Sequence, residues 1–370
     1  MKTILRAISF VVLVLAAHLG MRAQTTQVQE ANLPHLVNTK LETRAVSAPL
    51  EKEFRTLLAH ADSPQWIGYS VPEIAGDRIM CCGNDADGAS DCGRCALETK
   101  DHGINMSTNE KQAIALEGSR RVSTLFRVEH ARVDKIRVVS MDCQLDAGGL
   151  TLHWLTGVQP AESVAFLSEY VTGPDRGDRD GSEISNGALA AIAMYADPSA
   201  DRALERFVAA NQPDSLRKHA SFWLGAARGT AGFTVLTRLA RSDPSPEVRS
   251  HLAFAFSVSH EAGALDEMIR MAREDSSEHV RGQALFWLAH KAGKKAVGAI
   301  DEAIANDPAT GVKKKAVFAL SQLPKDEGVP KLIEVARNNR NPFVRKQAMF
   351  WLGQSHDPRA LAFFEEILTH

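Results

Sequence analysis

The chain has 370 residues and a formal net charge of −2 at neutral pH. This length allows two or three folding units. A charge so close to zero lacks the cationic excess of a dedicated nucleic-acid binder, so we predict no nucleic-acid partner.

The first residues are typical of a secretory signal peptide. Lys2 and Arg6 form a short basic start, and the apolar stretch 7–19 comes directly after them. That stretch is too short for a membrane span and passes into polar sequence. We predict a signal peptide over residues 1–23, with cleavage near Ala23, a periplasmic or secreted location, and no membrane span after the signal is removed. An uncleaved anchor is the alternative.

The next two segments differ in pattern. Residues 24–64 predict a polar linker followed by an amphipathic helix, because Leu50, Phe54 and Leu57 recur at helical spacing. Residues 65–158 predict a small β-rich domain, because short β-type runs are separated by clusters of Gly, Asp and Asn. The runs are 67–71, 78–82, 122–130 and 133–141.

The last two of these runs predict a hairpin that turns around Ala131. Alternation places one set of side chains from the first strand on the same face as apolar side chains from the second. The first set is Val122, Thr124, Phe126 and Val128, and the side chains expected opposite it are Ile136 and Val138.

Five cysteines lie in the β-rich domain: Cys81, Cys82, Cys92, Cys95 and Cys143. In an exported protein, closely spaced cysteines are more often disulfide-bonded than metal-bound. We predict two structural bridges and one remaining thiol, with the pairing open. A zinc site and a redox-active Cys-x-x-Cys pair are the alternatives for this cluster.

Residues 159–183 join this domain to the helical part of the chain. The stretch 161–171 is helical in pattern but out of register with the helical sequence that begins at Ile184, so we predict a helix that caps the N-terminal end of a helical stack. The stretch 175–183 is rich in Asp and Gly. Its spacing does not fit a calcium loop of the EF-hand type, and we interpret it as a solvated turn.

From Ile184 onward the sequence repeats every 32 residues without an insertion. Apolar residues at offsets zero, four and eight trace one face of a helix, and a further apolar column at offset twenty indicates a second helix. Each unit is therefore a helix pair that buries its apolar face against its neighbours. The offset-zero column is Ile184, Leu216, Val248, Val280, Val312 and Val344, and the offset-twenty column is Leu204, Leu236, Met268, Ile300, Leu332 and Phe364.

Units such as 280–289 (VRGQALFWLA) and 344–353 (VRKQAMFWLG) resemble HEAT repeats, and their short period is similar to the subgroup shared with phycobilisome-lyase-like proteins. The layout also resembles exported HEAT-repeat proteins with a cysteine-bearing N-terminal β domain. The resemblance implies an α + β multidomain chain, in which a small β-rich domain precedes an all-α, HEAT-like α-solenoid of six helix pairs over residues 184–370. The family spans scaffolds, adaptors and a few enzymes, so the resemblance does not select a function.

Two recurring features of the repeats have both a structural and a functional interpretation. Aromatic residues fill offset six, and Trp223, Trp287 and Trp351 fill offset seven in alternate units. We predict that they pack in the core, with an exposed ligand-binding strip as the alternative. Basic residues such as Arg249 fill offset one, and an Asp stands six residues earlier. We predict a structural ladder between units, with a functional basic strip as the alternative.

Apart from the cysteine cluster, neither the repeats nor the β-rich domain carries a recognisable catalytic or metal-binding pattern in the sequence. His219 and His251 stand one repeat apart, which is too far for one metal ion. The His-Glu pairs that ligate iron in some HEAT-repeat metalloenzymes are represented by one pair, at 260–261. A Cys143–His153 nucleophile pair is conceivable, but no motif positions it. We predict no catalytic, cofactor-binding or metal-binding residue and no cofactor.

We therefore predict an exported, non-catalytic scaffold that binds one or more protein partners in the cell envelope through the second-helix surface of the solenoid. A redox or thiol enzyme that acts through the cysteine domain is one alternative, and lyase-like handling of a chromophore or cofactor is another. The oligomeric state stays open. The candidate binding residues are Arg202, Arg206, Arg238, Glu267, Arg270, Lys331, Glu334 and Arg337.

Overall fold

The computed structural model describes residues 33–76, 82–84, 90–92, 94–98, 120–172 and 179–369. The chain divides into two compact units. The N-terminal unit ends at Tyr170 and also includes Tyr195–Asp197, and the repeat unit comprises Val171–Met194 and Pro198–His370. The predicted signal peptide lies outside the described residues. Within those residues, no helix is both long and apolar enough to cross a membrane.

The N-terminal unit is built on a mixed five-stranded sheet in the order β2-β10-β3-β7-β8. Strand β10 pairs in parallel with β2 and β3, while β3, β7 and β8 pair antiparallel. A smaller sheet has the order β1-β9-β6, and β4 pairs with β5. The strands are β1 (His35–Val37), β2 (Lys40–Ala45), β3 (Gln65–Pro72), β4 (Cys82–Asn84), β5 (Ser90–Cys92), β6 (Arg94–Ala96), β7 (Arg121–Glu129), β8 (Arg132–Ser140), β9 (Gln144–Asp146) and β10 (Thr151–Thr156).

The predicted hairpin is confirmed as strands β7 and β8. Phe126 lies opposite Ile136 and Thr124 lies opposite Val138, as the alternation predicted. His130 and Ala131 form the turn with φ values of 49° and 54°. Positive φ at both central residues gives the twist that a two-residue hairpin needs. The predicted run 67–71 is also confirmed, within β3, whereas 78–81 lies outside the described residues.

The prediction of a linker followed by a helix over residues 24–64 was incomplete. The helix is present as α1 (Leu50–Leu58), but β1 and β2 precede it, and β2 is a member of the five-stranded sheet. All six residues of β2 are exposed. A strand that buries neither face has no apolar alternation, so its sequence, KLETRA, looked like a linker.

The helix predicted to cap the stack belongs to the N-terminal unit instead. It is α2 (Pro160–Ser168), and its Phe166 ring lies 4.8 Å from the ring of Phe54 on α1 and 5.9 Å from that of Phe126 on β7. The Phe54 and Phe126 rings are themselves 4.8 Å apart. This aromatic cluster packs both helices onto one face of the sheet, and an apolar helix alone could not indicate which core it would join.

The repeat unit consists of six helix pairs, as predicted. The first helices of the pairs are α3 (Arg179–Met194), α5 (Asp214–Ala227), α7 (Pro246–Val258), α9 (Glu278–Ala292), α11 (Thr310–Ser321) and α13 (Pro342–Gln354). The second helices are α4 (Pro198–Phe207), α6 (Gly229–Ser242), α8 (Ala264–Glu274), α10 (Val297–Asn306), α12 (Lys325–Asn338) and α14 (Pro358–Thr369). Helix α3 begins inside the stretch 175–183 that we interpreted as a turn.

The repeat columns form the core of the stack, with two departures at its ends. From Leu216 to Val344 every residue of the offset-zero column is buried, but Ile184 is half-buried. In the last pair Phe363 is buried in place of the predicted Phe364. Close helix contacts depend on glycine. A Cβ atom on Gly225 would lie 2.2 Å from the carbonyl oxygen of Ala255 on the next first helix, so no larger residue fits there.

Candidate functional site

The outer surface of the second helices is the candidate site, and ion pairs cross it at every junction between neighbouring repeats. At each of the five junctions, a cation and an acid on consecutive second helices pair. The pairs are Glu205–Arg238 (2.5 Å), Arg241–Glu267, Arg273–Glu302 (2.5 Å), Asp301–Lys331 (2.8 Å) and Arg337–Glu366 (2.7 Å). Most of these side chains are about half exposed, so each pair alone adds little stability. Together they link the charged side chains of neighbouring repeats along the whole surface.

A second set of charge pairs, the Arg–Asp ladder, runs along the turns. Arg249 donates from Nε and Nη2 to the Asp275 carboxylate at 2.8 and 2.9 Å, and from Nη1 to the main-chain oxygen of Asp243 at 2.7 Å. Arg281 does the same with Asp307, at 2.7 and 3.1 Å, and Arg217 pairs with Asp243. Each arginine therefore joins the turn before its helix to the turn that ends its own repeat. The predicted structural role of these cations is confirmed.

The ladder raises the pKa values of Arg249 and Arg281 and lowers that of Asp275, the direction expected for mutual stabilisation. Burial alone would raise the pKa of Asp275, but hydrogen bonds from Arg249 and the Ser277 N–H lower it below the usual value. Hydrogen bonds to Asp307 raise the pKa of Arg281. A guanidinium–carboxylate pair in bidentate geometry, such as Arg249 with Asp275, is among the stronger polar contacts in proteins.

The ladder changes chemistry at the fifth repeat. Lys313 stands where the arginine would be and Asn339 where the aspartate would be. The Lys313 ammonium group donates instead to the main-chain oxygen of Ala305 at 2.7 Å. Arg345, in the following repeat, still donates to the main-chain oxygen of Asn339 at 2.8 Å. The main-chain contacts of the ladder thus continue, but the ion pair of this repeat is absent among the described residues.

Six of the eight predicted binding residues form ion pairs within the chain, and five of these six lie on α8 and α12. Glu267 is buried and pairs with both Arg241 and Arg270. Burial acts to raise its pKa, but the two arginines outweigh that effect and lower it. Lys331 pairs with Glu334 at 3.3 Å as well as with Asp301, and a hydrogen bond to Asp301 is the main cause of its raised pKa.

Arg337 is the fifth of these residues. Besides its pair with Glu366, its guanidinium carbon lies 5.5 Å from the centre of the Phe363 ring, a cation–π contact. These five side chains therefore stabilise the repeat stack. Their role as binding residues stays a prediction.

The other three predicted residues lie together. Arg202 and Arg206 on α4 and Arg238 on α6 line one surface groove between the second helices of the first two repeats. Arg238 pairs with Glu205, whereas Arg202 and Arg206 are exposed and make no ion pair within the part of the chain that the structure describes. The structure thus separates the predicted set into residues that pair internally and two cations that do not.

The aromatic residues at offsets six and seven form contacts between neighbouring first helices. Phe222 stacks on Phe254 with ring centres 5.5 Å apart, and Phe254 lies 4.6 Å from Trp287. The same pattern recurs two repeats later, from Phe286 to Phe318 and on to Trp351. The prediction of core packing holds for Trp223, which is 7% exposed. The other rings are half-buried, except that of Phe350, which is 53% exposed. The stripe therefore stabilises the junctions from a partly exposed position.

Within the described residues, the histidines and cysteines do not come together as a metal-binding group. No group of His, Cys, Asp and Glu among the described residues could hold a metal ion. Burial, followed by the nearby Lys218 and His219, lowers the pKa of His251 to about 4, so His251 is neutral at physiological pH. His153 lies 3.2 Å from Glu42 and 3.1 Å from Gln65.

The side chains of Cys95 and Cys143 lie in the core of the N-terminal unit. Cys143 is disulfide-bonded and 1% exposed, so it cannot serve as the nucleophile considered above. Cys95 is 6% exposed, and Arg137 donates to its sulfur at 3.8 Å. The β4–β5 register places Cys82 opposite Cys92, and Cys81 lies outside the described residues. The pairing of the five cysteines stays open.

The ion pairs across the second helices were not predicted from the sequence. Their acids include Glu205, Glu302 and Glu366, none of which was a candidate. A signal does exist: Arg273 and Arg337 each stand 29 residues before the acid that they bind, which is almost one repeat length. Searching the repeats for opposite charges at that separation would have identified both pairs.

A family model described as HEAT repeats matches residues 298–370. The C-terminal part of the chain therefore consists of HEAT repeats, and the chain's own 32-residue period extends the same helix pair back to Ile184. No curated protein matches the chain.

Solved structures with helical repeats match part of the chain at low identity. Human deoxyhypusine hydroxylase in complex with glycerol is 14% identical, with a TM-score of 0.29 over 56% of this chain and 90% of that one. The CpcE–CpcF complex of phycocyanin lyase from Nostoc sp. PCC7120 is 18% identical, with a TM-score of 0.29 over 56% and 80%. Kap95p with RanGDP is 17% identical, with a TM-score of 0.35 over 56% and 31%. Matches at these values carry no inference about function.

Proposed function

We propose that this HEAT-repeat chain is an exported, non-catalytic scaffold that binds a protein partner of the cell envelope through the second-helix surface of its solenoid. HEAT-repeat proteins commonly bind protein partners. The observation that carries the proposal is the set of ion pairs that crosses all five junctions of that surface. Side chains that are already paired before binding lose less conformational entropy on binding than free ones do. Its mixed charge suits a protein better than a polyanion.

No observation favours either alternative function. A redox enzyme needs an accessible, reactive sulfur, and the described sulfurs of Cys95 and Cys143 are buried. Lyase-like handling of a chromophore is suggested by the repeat family alone, and no cofactor-binding cluster among the described residues distinguishes this chain from a scaffold.

Photo-crosslinking in the native cells tests the binding surface. A photoreactive amino acid is placed in the full-length chain at the exposed second-helix positions Thr234, Glu274 or Asn338. The matched control is the exposed position Lys52 on α1 of the N-terminal unit. We expect one protein to crosslink reproducibly from the second-helix positions and not from Lys52. Crosslinks that arise from Lys52 alone, or no crosslinked protein at any second-helix position, would refute the proposal.

Export is tested separately. Cell fractionation should place the chain outside the cytoplasm, and the intact mass of the purified protein should correspond to a chain that begins at Gln24. A protein that keeps residues 1–23 and stays in the cytoplasmic fraction would contradict the proposed location.

A further inference from the structure

The groove between α4 and α6 has a charge composition that its internal contacts do not balance. It is lined by the guanidinium groups of Arg202, Arg206 and Arg238, by Glu205, and by apolar residues that include Leu239 and Pro244. Glu205 is held by Arg238 at 2.5 Å. The carboxylate of Asp243, which also lines the groove, is bound by the buried Arg217. Two guanidinium groups, those of Arg202 and Arg206, therefore lack a counter-charge within the described residues.

This surplus distinguishes the first junction from the others. Arg238 and Arg270 occupy the position of Arg206 in the second and third repeats, and each pairs with an acid, Glu205 and Glu267 respectively. Arg202 and Arg206 stand four residues apart on one face of α4, where like charges repel. An anion supplied from outside the chain would relieve that repulsion.

We propose that this groove binds an acidic segment of the partner protein, and the inference rests on the scaffold function proposed above. Arginine binds carboxylates with two parallel hydrogen bonds, which makes it better suited than lysine to a defined acidic side chain. Residues four apart on a helix have Cβ atoms about 5–6 Å apart. Alternate side chains of an extended strand are spaced about 6.6 Å apart. A segment with acids at alternate positions therefore matches the spacing of the two arginines.

A nucleic acid or an anionic membrane fits the groove less well. Both ligands present many phosphates, and their binding needs a continuous stripe of cations. Here two cations lie beside Glu205, and the chain as a whole carries a net charge of −2. The groove has the charge of a site for one or two carboxylates.

Fluorescence polarisation on the full-length chain tests the assignment. The probe is a labelled peptide with Glu at alternate positions and Leu between them, measured at low salt beside its Gln counterpart. The variant R202E/R206E removes both unpaired cations. The matched control, K314E/K346E, makes the same charge change at exposed lysines of the first helices α11 and α13, which are far along the stack in sequence. Circular dichroism and thermal melting confirm that both variants are folded.

We expect R202E/R206E to bind the Glu peptide at least tenfold more weakly than the unmodified chain does, and K314E/K346E to change this affinity less than twofold. We expect the unmodified chain to bind the Gln peptide at least tenfold more weakly than the Glu peptide. Equal losses in the two variants, no loss in R202E/R206E, or equal binding of both peptides would overturn the proposal. A single-stranded oligonucleotide or anionic phospholipid vesicles that bind with the same dependence on Arg202 and Arg206, and better than the peptide, would overturn the assignment to a protein segment.

The test also separates this inference from the scaffold proposal. The crosslinking experiment is repeated in the R202E/R206E chain. If the partner still crosslinks undiminished from the second helices, the scaffold function stands and the groove is not its binding site. If no partner crosslinks in the unmodified chain, the scaffold function fails, and the peptide measurement still decides what the groove binds.

Discussion

Replacing Asp275 by alanine tests whether the Arg–Asp ladder stabilises the repeats. The substitution removes a carboxylate that accepts two hydrogen bonds from Arg249, at 2.8 and 2.9 Å, and one from the Ser277 N–H at 2.8 Å. The Arg249 guanidinium group then keeps its bond to the main-chain oxygen of Asp243 but loses its counter-charge. The N-terminal turn that leads into α9 loses its side-chain acceptor as well.

The expected cost is set by burial. The side chains of Arg249 and Asp275 are 11% and 5% exposed, so the pair lies close to the buried limit. Removing one partner of a buried ion pair costs about 3–5 kcal/mol, because the other charge is left without compensation. The remaining bond of Arg249 and its partial contact with solvent favour the lower end of that range. We expect Asp275→Ala to lower the free energy of unfolding by about 3 kcal/mol.

Urea unfolding of the full-length chain, followed by far-ultraviolet circular dichroism, measures this cost because the helices of the stack dominate the signal. The control is Asp266→Ala, which removes an exposed carboxylate from α8 that makes no ion pair among the described residues. It should change the free energy of unfolding by less than about 0.5 kcal/mol. Hydrogen exchange should show faster opening at the start of α9 in Asp275→Ala. A change no larger than that of the control would refute the structural role of the ladder.

Three further predictions concern packing, pH and the missing pair of the ladder. Gly225→Ala would place a methyl carbon 2.2 Å from a main-chain oxygen of the adjacent helix, so it should lower the free energy of unfolding in urea by about 1–3 kcal/mol. The control Gly353→Ala has nothing within 4 Å of the new methyl carbon and should be neutral or stabilising. Equal effects of the two substitutions would contradict the close contact. The pKa of His251 is about 4 in the folded chain against 6.5 for an ordinary histidine, so protonation favours the unfolded chain. The free energy of unfolding should therefore fall as the pH drops from about 6.5 to 4 and stay constant at lower pH. His251→Gln should remove this part of the pH dependence, and an unchanged profile would show that another group titrates. Lys313→Arg together with Asn339→Asp should restore an ion pair, so the double variant should raise the melting temperature by more than the sum of the two single variants. Additive changes in melting temperature would indicate that no pair forms.

The repeat stack could be predicted from the sequence because its core depends on local periodicity. Columns such as the one from Leu216 to Val344 recur at a constant spacing, and an apolar residue every three or four positions has few structural interpretations other than a buried helix face. The β7–β8 hairpin was predictable for the same reason, since alternation specifies the register once the turn around Ala131 is located.

The parts of the fold and of the candidate site that could not be predicted depend on contacts between segments that are far apart in the sequence. Strand β2 has no apolar alternation and is a strand because it pairs with β10, more than 100 residues later. Helix α2 carries an apolar face that would suit either unit, and the position of Phe54 decides between them. The candidate charges Glu267 and Lys331 looked available because a single sequence does not show which charges pair.

The spacing of the Arg–Asp ladder bears on how such a chain can change in length. Arg249 reaches Asp275 and Arg281 reaches Asp307 across the same 26 residues, so both members of a pair lie within one 32-residue period. A duplicated unit would bring its own donor and its own acceptor, and its neighbours would meet the surface that they already contact. Homologues of this chain are therefore expected to differ by whole helix pairs, gained or lost within the array, more often than by insertions inside a unit.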